Sequence, residues 1–191
     1  MFAVLRHKRL LSAVIAQFFY VGAQVGVWSF FIDFAKSQAP QLSERVVALL
    51  LSGSLGLLLI GRFSGAIIQR FASPIRLLLI YAVANVILCL FASVTSGLVA
   101  VSALWVTSFF MSIMFPTIFA LGISGLGDET ESGSAFLIMS IIGGALIPPA
   151  MGLFADRVGG VQHMMLVPMM CFAVCAAFAW IVGRQHSEAV V

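Results

Sequence analysis

Between Leu10 and Phe34 the chain carries no charge until Asp33. About 20 residues rising about 1.5 Å each cover a hydrocarbon core of roughly 30 Å, so this run is long enough to cross a bilayer. Five more apolar windows follow at residues 46–71, 75–96, 98–123, 132–155 and 162–183, each bounded by charge, Pro or Gly. With no water in hydrocarbon to satisfy backbone N–H and C=O groups, separate spans of this length must be helical. The fold class is therefore an all-α membrane protein with six transmembrane helices.

With 62% hydrophobic and 9% charged residues, the composition excludes a soluble domain. Cys89, Cys171 and Cys175 lie in apolar stretches without a second ligand type at metal spacing, which supports neither a disulfide framework nor a zinc site. No nucleophile–base set is present, so an enzyme is not expected, and no cofactor is implied. The net charge of +3 is spread over span ends, which gives no footprint for nucleic acid. The first span is too long for the apolar part of a signal peptide and is expected to stay in the membrane.

Lys and Arg set the orientation. Arg6, Lys8, Arg9, Arg70, Arg76 and Arg184 fall on one side, against Lys36, Arg45 and Arg157 on the other. The excess marks the first side, with both termini, as cytoplasmic.

The first span has two faces. At about 100° per residue, Gln17, Tyr20, Gln24 and Trp28 share one narrow face, while Gly22 and Gly26 share the opposite one. The glycine pair lets a neighbouring helix approach closely in lipid. Amides cannot face hydrocarbon without a cost of kcal/mol order, so the polar face points either to interhelical partners or to a cavity. Aromatic rings beside amides suit a sugar, because the rings stack on C–H faces and the amides pair with hydroxyls.

Other residues stand out within the spans. Arg62 lies eight positions before Arg70, about 12 Å deeper by helix rise, where it either snorkels to the interface or serves a functional role. Asn85 is expected to bond between helices rather than reach a cavity. Pro116 removes a backbone donor in the fourth span, so that helix is expected to kink or open. Gly143-Gly144 and Pro148-Pro149 predict a bend in the fifth span. The acidic loop 125–134 is read as a solvated turn that caps the next helix. Asp156 and Arg157 are expected at the interface with interhelical contacts.

Taken together, Ala16–Gln24, Trp28–Phe31, Gly61-Arg62-Phe63-Ser64-Gly65, Phe115–Ile123 and Ile142-Gly143-Gly144 resemble the L-fucose permease-like proton-coupled sugar symporters of the major facilitator superfamily. The resemblance runs over nearly the whole chain and is to the carboxyl-terminal half of those twelve-helix proteins. It implies a three-plus-three inverted repeat at residues 10–184, the end of a central cytoplasmic linker at 1–9 and a cytoplasmic tail at 185–191. It also implies that Gln17, Tyr20, Gln24, Trp28 and Phe115 face the sugar, and that Arg62, Pro116, Gly143 and Gly144 have conformational or gating roles. An aromatic hydroxyl stands at the Phe115 position in fucose permease; the departure here keeps glucose and galactose beside L-fucose as candidate substrates. The proton-coupling carboxylates of the family lie in the amino-terminal half, and no acid sits mid-span here. The expected partners are thus a sugar, protons, the lipid bilayer of the inner membrane, and an amino-terminal six-helix half or second chain. The alternative is a truncated remnant or structural membrane protein without transport of its own.

Overall fold

The computed structural model describes residues 6–158 and 160–188. Residues 1–5 and 189–191 of the expected linker and tail, and Gly159 of the expected tight turn, lie outside the described residues. Among the described residues the chain is all-helical: α1 (Lys8–Ser29), α2 (Phe31–Gln38), α3 (Glu44–Ile68), α4 (Pro74–Val94), α5 (Gly97–Met111), α6 (Met114–Ile123), α7 (Thr130–Met139), α8 (Gly143–Val158) and α9 (Leu166–Glu188). Apart from the short α2, these form six helices or helix pairs of membrane-crossing length, with α5–α6 and α7–α8 each making one interrupted span.

Local chemistry sets the ends. Ser43 accepts a hydrogen bond from the Val46 N–H at 3.4 Å, a side-chain cap that starts α3. Lys36 at the end of α2 pairs with Glu44 in the first turn of α3 across the connecting loop. Pro74 occupies the first turn of α4, where its missing N–H has no helical acceptor to lose. Gly97, with φ of 70°, opens α5 in a conformation that side chains other than glycine's disfavour, which lets α4 and α5 meet through a tight turn. The first span is not one continuous helix to residue 34, as expected; it breaks at Phe30, whose φ of −101° and ψ of 5° separate α1 from α2.

Helix α1 lies at the centre of the bundle and packs on α6, α8 and α9, while α4 packs on α5 and α9, and α3 on α5. The Gly22/Gly26 face meets α8. A Cβ on Gly22 would collide with Ile147, and one on Gly26 with the Met151 sulfur. In return, Gly143 of α8 sits so close to the Phe18 carbonyl of α1 that a methyl there would overlap it. This is association by close backbone approach. The core between the helices holds Tyr20, Phe31, Phe34, Leu104, Met114 and Phe172, all buried.

The outer surface is apolar. Leu49, Phe63 and Ile67 on α3 and Leu153 on α8 are each 60% or more exposed. Side chains of this kind displayed over whole helix faces require hydrocarbon or another protein beside them.

Candidate substrate-facing site

The site is organised around the break in the fourth span. Helix α5 ends at Met111 and α6 begins at Met114, leaving Ser112 and Ile113 as the opening. The opening falls one turn before Pro116 because Pro116 has no N–H to give the carbonyl four residues earlier, that of Ser112. The helical ladder resumes at once, since the Thr117 N–H donates to Ile113 O at 3.1 Å.

Carbonyls at the buried break accept from side chains of other helices. Arg62 Nε donates to Ser112 O at 3.2 Å, and the Tyr20 hydroxyl donates to Met111 O at 2.8 Å. Two of the residues singled out in sequence thus serve a third, Pro116. Gly61 makes the approach of α3 possible, because a Cβ there would lie 2.6 Å from Ser112 Oγ. The adjacent Arg62 is thereby delivered to the break.

Arg62 is exposed and opens onto a groove of about 340 Å³ that it shares with Phe115, Pro116 and Gln69. A second groove of about 370 Å³ continues from Gln69 and Pro116 past Thr117 to Ser124. Gln69 Nε2 donates to Thr117 Oγ1 at 2.9 Å between the two. Sequence reasoning passed over Gln69, although its spacing of seven from Arg62, two helical turns, placed both on one face of α3. The Phe115 ring contacts Tyr20 edge-on at 6.3 Å between centroids and stacks with Phe119 at 6.4 Å.

The polar stripe of α1 divides in depth. Gln17 and Tyr20 are wholly buried inside the bundle, whereas Gln24 and Trp28 are half-buried. Both amide atoms of Gln17 lack a partner among the described residues. Trp28 Nε1 donates to Ser108 Oγ at 3.2 Å, which orients the indole, and no described residue hydrogen-bonds the Gln24 amide. The structure brings Tyr20, Arg62, Phe115 and Pro116 together around the break, with Trp28 joined to the same span through Ser108. It does not bring Gln17 to an open surface. Asn85 is buried and donates to Met114 Sδ at 3.4 Å, an interhelical contact as expected.

The fifth span is interrupted at the 3₁₀ turn Ser140–Ile142, just ahead of Gly143-Gly144. Pro148 and Pro149 lie inside α8 without ending it. Gly143 and Gly144 are contact points for α1: a Cβ on Gly144 would fall 3.0 Å from Val25 Cγ2. Two expectations fail here. The acidic loop supplies no side-chain cap to α7; instead Glu129 pairs with His7 at 2.9 Å, fastening the loop to the start of α1. Asp156 and Arg157 are exposed at the end of α8 and make no ion pair with any described residue. Asp33, Glu44, Asp128, Glu129, Glu131 and Asp156 all lie in first turns, last turns or loops, so none is buried mid-span.

No protein-family model matches the chain. It is 44% identical over 178 residues to the L-fucose-proton symporter of Escherichia coli, an alignment covering 93% of this chain and 40% of that protein. It is 34% identical over 181 residues to a glucose/galactose transporter of Brucella abortus, covering 94% of this chain and 44% of that protein. A crystal structure of the Escherichia coli fucose:proton symporter superposes with a TM-score of 0.92 at 39% identity over 94% of this chain and 44% of the other. A major facilitator superfamily transporter in the outward conformation gives 0.92 over 95% and 45%. The chain spans less than half the length of these relatives.

Proposed function

From this chain's homology to the L-fucose-proton symporters of the major facilitator superfamily, we propose that it forms one six-helix wall of a central sugar cavity. Paired with a second six-helix half, in the same polypeptide or another, it moves a hexose or deoxyhexose together with protons by alternating access. L-fucose, glucose and galactose are the candidate substrates. In this reading residues 10–184 are the transporter half, and both termini face the cytoplasm from the inner membrane.

The observation that carries the reading is Gln24: a half-buried amide without a partner among the described residues, one turn from an indole held in place by Ser108. An amide in that position has its donors and acceptor free for hydroxyls, and the neighbouring ring offers a stacking face. Tyr20, Phe115 and Arg62 bound the same region, with Arg62 and Pro116 at a break whose opening alters the cavity wall. Gln17 joins the site only when the bundle opens. Gly143 and Gly144, at the α1 contact, are where the fifth span pivots against the first.

The test uses a protein with both halves. Gln24→Ala should weaken sugar binding by about 1–3 kcal/mol, with Trp28→Ala weakening it further through lost stacking. Unchanged affinity in both variants, at normal folding, would return these residues to a packing role. The 191-residue chain alone, reconstituted in liposomes under a pH gradient, should not accumulate labelled sugar, because its described acids lie only at helix ends.

A further inference from the structure

A groove of about 340 Å³ lies between the start of α4 and the end of α9. Its mouth carries Arg76 and Arg184. Its walls descend by one helical turn on each side, to Leu79 on α4 and Trp180 on α9, with Ile75 between. Trp180 is 54% exposed, and the Arg184 guanidinium carbon stands 4.8 Å from the centroid of its ring. That contact places the guanidinium over the indole ring, and a guanidinium carries five N–H donors, more than the ring itself can engage. Among the residues whose side chains are described, no carboxylate pairs with Arg76 or Arg184.

We propose that this groove binds an anionic phospholipid of the leaflet at the end of the bundle that carries both termini. The two guanidiniums grip the phosphodiester, and an acyl chain lies along Leu79, Ile75 and the Trp180 ring. The charge pattern distinguishes this occupant from a partner helix. An apolar helix would fill the walls but leave both cations unpaired, whereas a phospholipid matches a cationic mouth above apolar walls at the end of membrane-length helices. Planar guanidiniums suit phosphate because they present paired donors, and basic pockets between transmembrane helices select anionic headgroups. An exposed indole at this depth matches the interfacial belt. The proposal requires that the chain cross a membrane but not that it transport sugar, so either reading can fail without the other.

The test titrates the purified chain in neutral detergent with dioleoylphosphatidylglycerol or dioleoylphosphatidylcholine and counts bound lipid by native mass spectrometry. Each basic residue near a membrane surface is worth about fivefold in affinity, so Arg76→Gln with Arg184→Gln should weaken phosphatidylglycerol binding by roughly 25-fold, to the phosphatidylcholine level. Lys36→Gln with Arg45→Gln, at the other end of the bundle, should leave it unchanged. Inorganic phosphate at millimolar concentration should not displace the lipid; full displacement would make this a free-anion site and overturn the lipid assignment. Equal retention of both lipids by the unaltered chain would overturn it too, as would unchanged selectivity in a folded double variant. Circular dichroism checks folding, and where the double variant does not fold, each single Gln variant must cost about fivefold; no loss in either refutes the site.

Discussion

Arg62 and Pro116 should be energetically coupled through a carbonyl that belongs to neither. Ser112 O lacks a helical donor because residue 116 is proline, and Arg62 Nε supplies one at 3.2 Å. Replacing Arg62 with Met keeps the length of the side chain and deletes the donor. Hydrogen bonds to charged groups contribute about 1.5–3 kcal/mol in water-soluble proteins, but interhelical bonds in membranes average nearer 0.6 kcal/mol, with a maximum of about 1.7. Because Arg62 is itself exposed, the lower range applies, and Arg62→Met should cost about 1 kcal/mol. In a Pro116→Ala background the new N–H is aimed at Ser112 O, since the neighbouring Thr117 N–H already reaches Ile113 O with regular helical geometry. There Arg62→Met should cost only a few tenths of a kcal/mol. Unfolding of all four proteins in sodium dodecyl sulfate and dodecyl maltoside mixed micelles, followed by far-ultraviolet circular dichroism, completes the cycle. Independent sites add within about 0.3–0.5 kcal/mol. Additivity inside that margin would refute Ser112 O as the shared acceptor.

Gly143→Ala should destabilise the bundle by about 1–3 kcal/mol, the usual range for overpacking, because the added methyl meets the Phe18 backbone carbonyl. Gly144→Ala, whose added methyl meets the side chains of Val25 and Val21 rather than backbone, should cost less in the same micelle assay; equal costs would show that α1 and α8 adjust as rigid bodies. Reporter fusions placed in the α4–α5 turn, between Ser93 and Gly97, and at Gln185 should report opposite sides of the membrane, and agreement between them would overturn the six-span arrangement. Cys89, Cys171 and Cys175 are all buried, so a maleimide should label none of them until the chain unfolds, and fast labelling in the native state would contradict the α4–α9 packing.

How far sequence and structure each reach is clearest at particular residues. The six spans, the packing role of Gly22 and Gly26 and the presence of an interruption near Pro116 follow from chain-local physics: span length against bilayer thickness, the missing glycine Cβ and the missing proline N–H. Helical periodicity placed Gln17, Tyr20, Gln24 and Trp28 on one face, and they do lie along one face. It could not say that Gln17 and Tyr20 are enclosed while Gln24 and Trp28 are open, because depth depends on which helices cross over that face. The Tyr20 and Arg62 bonds to Met111 and Ser112 join residues 91 and 50 positions apart, and the His7–Glu129 pair spans 122. No local pattern encodes such distances. Sequence alone determined that this chain crosses a membrane as six helices and that the fourth should kink or open near Pro116; only tertiary packing decided that it opens at Ser112 and Ile113, where the prolines of α8 do not end theirs, and which side chains supply the hydrogen bonds there.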